Sequence, residues 1–187
     1  MITVSQIMAW GPCPKWPKER VRRVIGRGRT IEQILRARRI PHADRIWVAC
    51  HKGAVSDRVL RLFACDCAER ALRRERRAGR EPDPRSWEAV RVARRYADGD
   101  ATAAELAAAG AVAGAVAEAA ASSAARAAAA WAAAWAAWEE AWVAAWEAAH
   151  AAAWEARETA GVAWVAAWEA DCRWQCTRLL RLLREEP

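Results

Sequence analysis

A chain of 187 residues can build one domain with a genuine core or two small ones, and much of its 55% apolar content is alanine, which buries little area per residue. Thirteen tryptophans stand against one Phe and one Tyr, so large apolar surface must come from Trp, Leu, Val and Ile. The net charge of +7 is split between residues 1–100, with 24 Lys/Arg against 12 Asp/Glu, and residues 101–187, with 6 against 11, which disfavours general nucleic-acid binding along the whole chain.

In chain order, Met1–Pro12 lacks the basic, apolar and cleavage regions of an export signal, so a cytoplasmic setting is expected, with the six cysteines as reduced thiols. Gly11, Pro12, Pro14 and Pro17 make a turn-rich opening. Pro17 can start a helix, predicted over Lys18–Ile25 and ended by Gly26-Arg27-Gly28. Thr30 and Gln33 have capping-box spacing, Ile31, Ile34 and Leu35 recur at helical intervals, and Pro41 closes that segment. A short helix is predicted over Ala43–Cys50.

Ser56 opens a stronger segment. Val59, Leu60, Leu62, Phe63, Cys67, Ala71 and Leu72 trace one apolar face, and arginines from Arg70 to Arg80 end it in a solvated, positive last turn. After a Pro82–Pro84 linker, Asp83 marks a helix start, with Trp87, Val90, Ala93 and Ala97 at helical spacing up to Gly99. Thr102 and Glu105 then form a capping box before an alanine-rich run.

From Ala103 to about Arg184 there is no proline, and alanine is the best helix former. A single helix there would be roughly 120 Å long at ~1.5 Å per residue. Breaks are available at Gly110/Gly114, Ser122-Ser123 and Gly161, which favours two or three helices folded back. Glu118, Arg126 and Glu139–Glu140 interrupt the tract, which keeps it short of the ~18 uncharged residues of a membrane span. The expected fold is all-α, with short N-terminal helices (a basic region, 1–100) packed with long Ala/Trp-rich helices (101–187) in a bundle or hairpin.

The tryptophans of this tract follow a rule. With Trp131 at 0° and ~100° per residue, Trp135, Trp138, Trp142 and Trp146 fall between about −20° and about 60°. Trp164, Trp168 and Trp174 return to about 60°, about 100° and about −20°, with Trp154 an outlier near about 140°. A buried Trp removes ~150–250 Å² from water, so this stripe must be covered, either as core or as an interface with another protein or a second copy. Trp131, Trp135, Trp138, Trp142 and Trp146, with the acidic Glu139, Glu140 and Glu147, are the candidate partner contacts.

Catalytic patterns do not emerge. Three histidines, His42, His51 and His150, lack metalloprotease spacing, and no phosphate-cradling glycine loop or Gly-x-Ser-x-Gly occurs. Cys172 and Cys176 with Cys65 and Cys67 could offer four thiolates. Residues two apart on a helix, however, point about 200° away from each other, and neither pair has structural-zinc spacing. No enzyme activity, metal or cofactor is therefore expected, and the cysteines read as small buried hydrophobes.

Leu60-Arg-Leu-Phe-Ala-Cys-Asp-Cys-Ala-Glu-Arg-Ala-Leu72, Asp83-Pro-Arg85, Tyr96-Ala-Asp-Gly99 and Thr102-Ala-Ala-Glu-Leu106 before an Ala/Trp array resemble a group of bacterial and phage proteins described as immunity proteins. Trp16-Pro-Lys-Glu-Arg20 and Asp44-Arg-Ile-Trp47 add to the resemblance, which spans about residues 10–180. It implies a non-enzymatic protein that neutralises a toxin, with no catalytic residues. A homo-oligomeric assembly protein and a nucleic-acid binder using the basic half are the alternatives. Among the resembling residues, Leu60, Phe63 and Cys67 are expected in the core, Asp83 as a cap, and Asp66 and Glu69 in intrachain ion pairs.

Overall fold

The structure is a computed structural model describing residues 1–119 and 161–186, with side chains described for 1–116 and 165–186. The fold is all-α, and two isolated β-bridges are the sole strand-like pairings among the described residues. The candidate contacts Trp131, Trp135, Trp138, Glu139, Glu140, Trp142, Trp146 and Glu147 lie outside the described residues.

Local signals set most helix ends. α1 (Val4–Ala9) precedes the turn-rich Gly11–Pro17 stretch and was not expected, and its signal is Thr3-Val-Ser-Gln6, a full capping box. α2 (Lys18–Ile25) follows Pro17 and stops at Gly26. Gly28 lets Ile2 and Arg29 exchange backbone hydrogen bonds of 2.7 and 3.0 Å; a Cβ there would sit 2.8 Å from the Met1 side chain. α3 (Ile31–Leu35) starts with the Thr30/Gln33 box and ends well before Pro41, which instead caps α4 (His42–Ala49).

α5 (Asp57–Arg77) begins under the Ser56 cap, and α6 (Pro84–Asp98) begins under Asp83 and ends at left-handed Gly99. α7 (Ala103–Ala119) starts at Thr102, whose hydroxyl accepts from the Glu105 N–H at 3.2 Å. It runs straight through Gly110 and Gly114, so these do not break it; ~1 kcal/mol per glycine is outweighed by alanine on either side and packing on α6. α8 is described over Gly161–Glu185.

Two cores result. Ile2, Ile7, Val21, Ile25, Ile34 and Val48 form a small one among α1–α4. The larger gathers Leu60, Phe63, Cys67 and Leu72 of α5 with residues of α4, α6, α7 and α8. Leu106 and Ala113 of α7 share it with Cys172, Cys176, Leu179 and Leu182 of α8, so α7 and α8 contribute to one core. Within α8, Trp168 shares the inward side with Cys172, Cys176 and Leu179. Trp174 lies about 120° around the helix from Trp168, and both are half-buried against the larger core.

The arginines of α5 are not simply solvated. Asp171 of α8 is 1% exposed and accepts from Arg70 at 3.0 Å, from Arg74, and from the Gln175 amide at 3.1 Å. Asp66 pairs with Arg94 at 2.8 Å and with Arg178, and Glu69 pairs with Arg73 and Arg94 at 2.7 Å each. These are the expected intrachain bridges. Removing one partner of a buried pair strands the other in low dielectric, whereas exposed pairs contribute little. Arg70→Ala with Arg74→Ala, which leaves the Asp171 carboxylate buried without a cation, is expected to cost on the order of 3 kcal/mol in urea unfolding. Breaking the exposed Arg58–Asp98 pair with Arg58→Ala should cost under ~1 kcal/mol, and equal losses would contradict this ranking.

Asp83 supplies a pH-dependent cap. Hydrogen bonds from the Arg85 guanidinium and from the Arg85 backbone N–H, the latter 2.8 Å long, hold its carboxyl down at about 2. A carboxyl lowered on folding stabilises above its unfolded pKa and loses that contribution as pH falls through its folded one. Asp83→Ala should therefore cost roughly 1 kcal/mol near neutrality. The gap to the parent should close between about pH 4 and pH 2 in equilibrium unfolding; a gap constant with pH would count against the carboxylate.

Candidate functional site

The described surface holds an open apolar cleft of about 380 Å³ where α1, α2, α4 and α8 meet. Amphipathic spacing puts Val21, Val24 and Ile25 of α2 on its side, and Ile7 and Ile40 close the floor. Three indoles, Trp16, Trp47 and Trp168, stand around it. Asp44 is the one carboxylate in the lining among the described residues.

Trp16 is held from two directions. Its indole N–H donates to Asp44 Oδ2 at 3.0 Å, and the Arg20 guanidinium covers its ring at 4.2 Å. Arg20 is steadied by donating to the Lys15 carbonyl at 2.8 Å. The ring is thus fixed before any ligand arrives, and the Asp44 charge is engaged rather than aimed at a substrate.

Trp47 is braced from behind by Trp10 and His51. The His51 ring stacks on Trp10 at 4.6 Å and meets Trp47 edge-on at 4.3 Å. His51 Nδ1 lies 2.7 Å from the Trp47 carbonyl, which can only accept, so that nitrogen carries its proton. The histidine is a packing element of the wall. His42 takes a different role, its Nδ1 lying 3.2 Å from Glu169 Oε2 and tying α4 to α8.

The cysteines divide by exposure. Cys13 lines the cleft and is exposed, whereas Cys50, Cys65, Cys67, Cys172 and Cys176 are buried. Burial pushes the Cys172 and Cys176 thiols up to about 12 and raises Cys50, Cys65 and Cys67 as well. Such thiols stay protonated near neutral pH and serve as packing groups.

The periodicity of the sequence points to the tryptophan array for partner contacts and not to this cleft. Its polar and aromatic residues come from two short segments, Trp16 and Arg20 from one and Asp44 and Trp47 from the other, which the fold brings together. Compared with protein-family models, curated proteins and solved structures, the chain has no match.

The thiol assignment predicts labelling behaviour. At pH 8 a disulfide reagent should modify Cys13 rapidly and the five buried thiols only as the protein opens, and all six at once in guanidinium. Two or more fast thiols in the native protein would contradict the burial of the others.

Proposed function

We propose that the chain is a non-enzymatic, protein-binding protein of the immunity type, which blocks a toxin or other effector in the cytoplasm. The observation that carries this reading is the preorganised cleft. An indole locked by Asp44 and Arg20 at the mouth of an apolar hollow suits an aromatic or aliphatic anchor from a partner protein. The same residues carry part of the resemblance to immunity proteins.

The setting of the cleft favours one kind of occupant. Residues 1–50, which supply nearly all its lining, hold eleven Lys/Arg and three Asp/Glu, so an apolar anchor on an acidic segment is the complementary ligand. Glu139, Glu140 and Glu147, with the array tryptophans from Trp131 to Trp146, are proposed as a second contact that steers a basic part of the same partner. The buried unpaired thiols suit a reducing compartment, and no helix of the described residues is long and apolar enough to cross a membrane.

A second reading has its own observation. The outer face of α7 shows Ala107, Ala108, Ala111, Val112 and Ala115 to solvent without a charge, and Val112 is 44% exposed. A second copy laid on that face would make a homo-oligomer, and light scattering at micromolar concentration decides it: a monomer mass excludes this alternative.

The binding proposal is tested with the protein encoded beside this chain, by co-expression and surface-based kinetics. The expected result is a stable complex and rescue of growth. Ala43→Phe, which plugs the cleft without cutting its walls, should speed dissociation at least tenfold with an unchanged Tm. Glu139→Lys with Glu140→Lys should slow association. Full binding by the plugged variant would remove the cleft from the interface, and no complex at all would overturn the immunity reading.

A further inference from the structure

We propose that the groove between α5 and α8 is a binding site for an oligophosphate group, distinct from the apolar cleft and independent of the partner-binding reading. The helix period sets Arg70, Arg73, Arg74 and Arg77 on one side of α5. α8 brings Trp174, Arg178 and Arg181, at i, i+4 and i+7 on one helix face, to the opposite wall. The concavity they enclose is about 310 Å³, room for more than one phosphate unit.

Charge in this groove is unbalanced. Its carboxylates are Asp66 and Glu69 in the lining and Asp171 beneath, and each is already shared between two guanidiniums. Glu69 is shared between Arg73 and Arg94, so even these acids are partly drawn off by an arginine of α6. Arg77 and Arg181 are exposed and have no carboxylate partner among the described residues. Among the described residues, six groove arginines therefore face these three acids and Glu185, which lies 3.9 Å from Arg178.

Convergence of like charges on a hollow is unfavourable without a counter-ion, and a concave surface of one sign concentrates anions. The ion pairs help the site. They fix Arg70, Arg74 and Arg178 as a rigid floor, and each guanidinium keeps N–H donors beyond those spent on its carboxylate. Forked donors on two walls match the oxygens of adjacent phosphates better than they match one small ion. The Trp174 ring, with the Arg70 guanidinium 4.3 Å from its centroid, stands at the same groove. A base attached to the phosphates would meet that aromatic edge, so inorganic and nucleotide sources share the phosphate chemistry and differ at Trp174.

The test is calorimetric titration of the full chain at fixed ionic strength with tripolyphosphate, a nucleoside triphosphate, sulfate and chloride. Tripolyphosphate should saturate at one site, at least tenfold tighter than sulfate. Tighter binding of the nucleotide, lost in Trp174→Leu, would assign a nucleotide; equal binding of the two would assign the phosphates alone. Arg77→Gln with Arg181→Gln should weaken binding at least tenfold and leave the Tm unchanged, because neither side chain holds the fold. Arg22→Gln with Arg23→Gln, exposed on α2, should change it less than twofold. Equal losses in both double variants, binding no tighter than sulfate, or affinity that appears only with long nucleic acid would overturn the proposal.

Discussion

Asp171 must be taken out of water for α8 to seat on α5, and the rest of the described architecture follows from how that charge is compensated. A bare carboxylate at 1% exposure would be prohibitive. Arg70, Arg74 and Gln175 surround it with donors, and the two arginines remain partly solvated at 34% and 27% side-chain exposure. Their exposure lowers the cost on the cationic side, so the burden falls on one buried group rather than three. Such a pair contributes less net stability than apolar packing would, but it specifies rotation and register. Turning α8 by a single residue would move the carboxylate about 100° away from its donors.

That fixed register generates two unlike surfaces from one helix. At its N-terminal part, Trp168 reaches the cleft and Glu169 pairs with His42, which ties α8 to α4 beside the wall bearing Asp44 and Trp47. About two to four turns further on, Trp174, Arg178 and Arg181 line the arginine groove with α5. Between them, Cys172, Cys176, Leu179 and Leu182 enter the main core. Small cysteines suit this position because α8 is approached by α3, α4 and α5 together. Large side chains there would hold those helices apart.

Features set by local chemistry were legible in the sequence. The caps at Thr30, Ser56, Asp83 and Thr102, the stop at Gly99, and the core roles of Leu60, Phe63 and Cys67 each depend on a few neighbouring residues. The α1 cap is equally local, in Thr3 and Gln6. Long-range matters were not legible. Arg70 and Arg74 look like a solvated helix end until α8, about a hundred residues later, delivers Asp171. Trp16 and Asp44 are 28 residues apart, and neither predicts the other without the fold. The angular rule for tryptophans treats one helix alone, whereas the neighbours of α8 choose which side goes inward.

The division of charge between the two halves now has a partial physical account. Of the acids of the C-terminal half whose side chains are described, Glu105 caps α7 and pairs with Arg95, and Glu169 meets His42. Asp171 holds Arg70 and Arg74, Glu185 faces Arg178, and Glu186 accepts from Ser56. Each is engaged within the chain, largely by the basic half. Opposite charge in the two halves thus serves first to bring α8 back onto α4 and α5. The steering role proposed for the C-terminal half would then rest on acids between Glu118 and Glu158, and the α5–α8 groove is one place where arginines outnumber the acids that meet them.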